Sequence, residues 1–179
     1  HATGEPLTVA RPGSQDGSVY ETTLTPLRFG GGQAVMAMIR DASGEHRARA
    51  ERREADARYK LLFDAIDEGF CIIEFIDGPH GPLSDYVHLQ ANSAYTINTG
   101  IPNIVGKHLR EIVGEAEANG WADIYRDVLT TGASIRFERE LEATGRHLEL
   151  AAFRIEPANK RQVAVLFKDI TARKRSEAL

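Results

Sequence analysis

Apolar and polar residues change period several times along this chain, and the changes divide it into segments. Residues 7–10, 19–28 and 34–40 are extended-type runs in which Thr22, Leu24 and Val35 favour strand backbone. They are broken at Pro12-Gly13 and at Gly30-Gly31-Gly32, where turns are needed. About 40 residues bury too little surface for a core of their own, so this piece needs a partner in the same chain or another. Residues 43–63 are mostly charged or alanine, strong helix formers, and Ser43 is a candidate N-cap. Along them Ala48, Ala55 and Leu62 recur seven apart, with Arg52, Tyr59 and Ile66 as the companion row. That is the seam of a two-stranded parallel coiled coil, the alternative being a single solvated helix.

Beyond the helix, residues 70–76 (FCIIEFI) are apolar with hardly any alternation, as in a strand covered on both faces. The run from Gly78 to Pro82 turns the chain, and residues 86–91 return as a hairpin partner. Asn92 suits the N-cap of a short helix that Gly100 ends. Residues 108–113 predict another short helix, and Asn119-Gly120 opens a longer one over 121–130 that Gly132 stops. Strands at 134–141, 147–155 and 162–168 close the order. Two strands, a helical middle and three strands predict an α+β fold: a five-stranded antiparallel sheet with short helices on one face, enclosing a cavity.

The chain also contains a repeat. Residues 21–50 align without gaps on residues 149–178, Asp41 falling on Asp169 (169 minus 41 is 128) and Ser43 on Thr171. Both copies read strand, loop, apolar strand, Asp-x-Ser/Thr, charged helix. Modules in series, joined by helices, follow. The expected divisions are residues 1–41 as the last strands of one module, 42–63 as linker, 64–171 as a complete domain and 172–179 as the start of the next linker.

The net charge is −4, from 22 basic and 26 acidic residues, so no broad basic surface points to nucleic acid. The one cysteine, Cys71, excludes an internal disulfide. No apolar run approaches the roughly 20 residues that span a membrane, and no charged region plus apolar stretch follows His1 as in a signal peptide. A cytoplasmic fragment of a longer protein is expected.

Several stretches carry a resemblance: RYKLLFDAIDEGFCIIEF, ANSAYTINTG, VGKHLREIV, WADIYRDVLTTGASIRFE and VAVLFKDITARKRSEAL. In this order and spacing they resemble a PAS domain, over residues 58–171, of the kind found in bacterial sensor histidine kinases. The N-terminal piece, ending MIRDASGEHRAR, looks like the tail of a preceding PAS domain. Asp169-Ile170-Thr171 matches the family's strand-to-helix exit, where Asp169 and Thr171 can accept hydrogen bonds from free N–H groups of the outgoing helix. The resemblance implies a regulatory module: a homodimer through 43–63, relaying a signal to an output domain in the same polypeptide. A ligand-free spacer module is the alternative, and an enzyme using the cavity a third reading.

The resemblance also directs the search for cofactors. A light-sensing LOV relative needs a reactive cysteine in an Asn-Cys-Arg setting, whereas Cys71 lies in the first strand as a core residue. Haem-binding relatives use a histidine on the long helix, which here offers Trp121 and Tyr125. No cofactor is therefore expected, though an unknown small molecule stays open. The six histidines have no metal-ligand spacing; His80 and His88 could meet across the hairpin but are better read as surface residues. His46 lies on a charged helix without the surroundings of a phosphoacceptor, and no Ser/His/Asp set can be assembled. Candidate cavity residues are Phe70, Ile72, Tyr95, Trp121, Tyr125, Phe153 and Phe167, with Asn92 and Arg154 as polar contacts; a filled core is the competing reading. Glu74, inside the apolar first strand, could pair with Arg154 or Arg136, face solvent or meet a ligand.

Overall fold

The computed structural model describes residues 5–14 and 17–179, so His1 lies outside the described residues. It has two compact units, residues 1–60 and 61–179. In the first, β1 (Leu7–Pro12), β2 (Val19–Phe29) and β3 (Gly32–Asp41) form an antiparallel sheet in that order. Gly30 and Gly31, both at positive φ (57° and 82°), make the two-residue hairpin between paired Phe29 and Gly32. A right-twisted hairpin wants that backbone, which side chains resist. Helix α1 (Ser43–Ala65) follows.

The second unit holds β4 (Gly69–Gly78), β5 (Gly81–Ala91), α2 (Ala94–Thr99), α3 (Glu115–Thr131), β6 (Ile135–Leu141), β7 (Arg146–Ile155), β8 (Gln162–Asp169) and α4 (Thr171–Glu177). Its five strands are antiparallel in the order β5-β4-β8-β7-β6, so the first and last in chain order sit side by side near the centre. One core joins Ile73, Phe75, Leu148, Leu150, Val163 and Val165 of the sheet to Tyr95, Trp121, Tyr125 and Val128 of the helices. Burying each large side chain contributes about 1.5–3 kcal/mol. This is the α+β architecture that the element order predicts.

Several local expectations are corrected. β4 does alternate: Cys71, Ile73 and Phe75 are buried, while Phe70, Ile72 and Glu74 are half-buried on the opposite face. Apolar side chains on both faces hid the period. Residues 108–113 hold only one 3-10 turn, Leu109–Glu111. α3 starts at Glu115, well before Asn119-Gly120. Gly120 does not start the helix; a Cβ there would lie 2.2 Å from Arg139 Nη2, whose guanidinium sits over the Trp121 ring at 4.8 Å. Glycine leaves room for that cation–π contact.

The repeat extends through the pairing. Leu7↔Leu24, Pro12↔Val19, Tyr20↔Asp41 and Leu27↔Ala34 in the first sheet match Ile135↔Ala152, Glu140↔His147, Leu148↔Asp169 and Ile155↔Gln162 in the second. Every residue number differs by 128. The β8 edge opposite β7 is taken by β4 over residues 162–167. Among the described residues, β3 pairs with β2 alone, leaving Val35, Met38 and Ile39 exposed.

Candidate functional site

A small cavity lies between the sheet and α2 and α3. It holds about 50 Å³ and is lined by Cys71, Tyr86, His88, Tyr95, Trp121, Tyr125 and Phe167 among others. A dry cavity that takes benzene is about 150 Å³, so the space here suits water-sized occupants. Edge-on ring contacts close its walls: Tyr86 on Tyr125 at 5.9 Å, Tyr86 on His88 at 5.4 Å, His88 on Tyr95 at 5.8 Å and Tyr95 on Phe167 at 5.1 Å.

The walls carry no charge at neutral pH. His88 Nδ1 is 3.2 Å from the Lys107 carbonyl and Nε2 is 3.3 Å from the Tyr95 hydroxyl. A carbonyl only accepts, so Nδ1 carries the proton and Nε2 accepts from Tyr95. Burial pushes His88 down to about 4, against the opposing pull of the Lys107 carbonyl and Asp85. Burial also holds the Tyr86, Tyr95 and Tyr125 phenols well above their ordinary value. The Cys71 thiol is pushed up to about 12 by burial, so it is a core thiol without thiolate character.

The structure brings four of the expected lining residues together: Tyr95, Trp121, Tyr125 and Phe167. Phe70, Ile72 and Phe153 are on the other face of the sheet, by strand parity. Asn92 is not an N-cap: its Oδ1 accepts from Phe70 N at 2.9 Å, and its Nδ2 donates to Phe63 O and Glu68 O. Those bonds knit the end of α1 to β4. Arg154 reaches Leu129 O at the end of α3 and pairs with Glu156. Glu74 is bonded by Gln162 Nε2, so neither arginine is its partner. His80 and His88 do not meet, because His88 turns into the core while His80 contacts Glu115. Cys71, Tyr86 and His88 were missed as lining residues; β4 parity, had it been visible, would have pointed to Cys71.

The exit at the end of β8 is a second candidate site. Asp169 Oδ1 accepts from Thr171 N at 2.9 Å and from the Thr171 hydroxyl. Thr171 does not cap α4; its Oγ1 accepts from His147 N at 3.0 Å, while Ile170 N donates to His147 O. Strand β7 is thus tied to the first residue of α4. Burial works against it, yet the Thr171 hydrogen bonds and the nearby Arg146 charge hold the Asp169 carboxyl below its usual range. The first unit repeats these bonds at Asp41, Ala42, Ser43 and Val19. On α1, Ala48, Ala55, Tyr59 and Leu62 are exposed, whereas Ile66 falls just past the last helical residue. Among the described residues no group of three His, Cys, Asp or Glu is placed to hold a metal, and no helix is long and apolar enough to cross a membrane.

The family profile for the PAS fold matches residues 84–175. The chain belongs to the PAS family. Among solved structures it is similar to the PAS domain of an HTR-like protein from Haloarcula marismortui, at 12% identity and a TM-score of 0.50, covering 70% of this chain and 99% of that one. It is also similar to the PAS domain of BvgS from Bordetella pertussis, at 16% identity and a TM-score of 0.46, again over 70% and 99%. No curated protein matches the chain. The cavity and the exit at Asp169-Ile170-Thr171 both lie within the second compact unit.

Proposed function

We propose that this chain is a cytoplasmic sensory and dimerisation module that relays a signal through its helices to an output domain in the same polypeptide, a histidine kinase. The observation that carries this reading is the exit, where one carboxylate and one hydroxyl fasten the last strand and β7 to the outgoing helix. A shift of the sheet would redirect that helix. In this reading Leu7–Asp41 are the closing strands of a preceding PAS unit, supported by the shared register. The homodimer forms along residues 43–63 with Leu62 in its seam. The sheet's outer face is an open groove of about 740 Å³ that includes Ala151, Phe153 and Leu166. No haem, LOV-type flavin, nucleic acid or membrane partner belongs to it. Light scattering coupled to size exclusion tests the dimer: Leu62→Glu places a charge in the seam and should shift it to monomer. A monomeric wild-type chain at high concentration removes the claim.

A second reading, a ligand-free spacer module, draws support from the small cavity. Native mass spectrometry separates the two. A bound compound favours sensing, and a bare mass across preparations favours the spacer.

A further inference from the structure

Helix α2 stands between the segment that leads into the second unit and the segment that leaves it, and one buried side chain touches both. Asn98 is 7% exposed. Its Nδ2 donates to Asp67 O, in the link between α1 and β4, at 3.0 Å, and to Ala94 O at 2.9 Å. Its Oδ1 accepts from Asp169 N at 2.9 Å, at the residue whose carboxylate organises the exit. All three amide-group bonds are to backbone, so they fix positions and not side-chain identities. The same helix is anchored at its start, where Ser93 N donates to Asp64 Oδ1 at the end of α1. Its inner face, Tyr95 and Thr99, lines the cavity. Next to Asn98, Ile97 O accepts from Arg146, whose guanidinium is 3.6 Å from Asp169 Oδ2.

We propose that Asn98 is the positioning residue that couples the incoming segment to the outgoing helix, with α2 as the rigid lever between them. This rests on the relay reading and assigns a part of it to one side chain. Loosening α2 at its start should then be felt at Asp169 only while Asn98 is present. A staple with a local role would let the two changes act independently.

The test is a double-mutant cycle on the full 179-residue chain, read as amide exchange at Asp169 and the first turn of α4, with Val163 and Val165 as reference amides. Asp64→Ala removes the acceptor for Ser93 N. In the wild-type background it should speed exchange at Asp169 severalfold; in Asn98→Ala, where Asp169 N has lost its acceptor and already exchanges about tenfold faster, it should add nothing. Equal increments in both backgrounds overturn the proposal, as does an Asp169 amide that ignores Asn98→Ala. Should Asn98→Ala fail to fold, Asn98→Asp decides alone, since its carboxylate keeps an acceptor for Asp169 N and loses the donor to Asp67 O. Faster exchange at residues 67–69 with the Asp169 amide still protected, and no response of that amide to Asp64→Ala, supports the coupling. A persisting response refutes it. The cycle is indifferent to oligomeric state and output domain, so its failure is distinct from failure of the relay reading.

Discussion

Lowering the pH from 7.5 to 5 should destabilise the second unit through His88. The imidazole is 4% exposed, and burial brings it down to about 4 from an ordinary 6.5. Its ring nitrogens are both engaged in the neutral form, one donating to Lys107 O and one accepting from Tyr95. The unfolded chain takes up the proton near 6.5 and the folded chain not until about 4, so between these values the unfolded state binds more protons. Stability is therefore complete above pH 6.5 and falls as the pH drops towards 4. The gap amounts to about 3 kcal/mol in full, and about 2 kcal/mol of it is lost by pH 5. Urea unfolding followed by Trp121 fluorescence at several pH values measures this, with His88→Gln as the non-titrating reference. The variant should be less stable at pH 7.5 because packing and the Tyr95 bond are lost, and the difference should shrink by about 2 kcal/mol at pH 5. A difference that stays constant with pH, or a His88 ring resonance that titrates near 6.5 in the folded protein, would refute the reasoning.

Three further substitutions probe the frame around the site. Asn92→Ala strips partners from Phe70 N, Phe63 O and Glu68 O, and should cost about 2–3 kcal/mol in urea unfolding. Glu117, on α3 and 6% exposed, accepts from Trp121 Nε1, Glu142 N and Ala143 N; Glu117→Ala should lose about 2–4 kcal/mol and shift Trp121 emission. Gly69→Ala puts a Cβ 2.1 Å from the Phe167 ring and should destabilise by about 1–3 kcal/mol.

What was legible in the chain was local or periodic. Turn glycines, the positive-φ glycines that end α2 and α3 and the Asp-x-Thr exit are written within a few residues, and Gly100, Gly132 and Asp169-Ile170-Thr171 lie where the pattern put them. The cavity walls were only half legible. In FCIIEFI both parities are apolar, so nothing in β4 said whether Ile72 or Ile73 faces inward; pairing with β8 decides it. His88 looked like a surface residue because its burial depends on Lys107 O and Tyr95, which approach from a loop and a helix. Asn98 and Glu117 were invisible for the same reason. Their partners Asp169 and Glu142 lie 71 and 25 residues away, and neither asparagine nor glutamate announces a buried role by type.

The two strand-to-helix junctions show which part of this architecture is held constant. Across the offset of 128 the strand faces differ: Thr22 stands where Leu150 does, Leu24 where Ala152 does and Met38 where Leu166 does. The bonds coincide atom for atom. Val19 N reaches Ser43 Oγ at 2.9 Å as His147 N reaches Thr171 Oγ1 at 3.0 Å, and Ser43 N and Thr171 N both meet the carboxylate two residues back at 2.9 Å. Serine and threonine are interchangeable here because only the hydroxyl is used, accepting from the strand and donating to the aspartate. A hydroxyl and a carboxylate that satisfy each other and the first free N–H leave the helix one direction relative to its strand. Sheet composition can then follow whatever covers each face, while the angle at which the helix departs is set by four residues that do not depend on it.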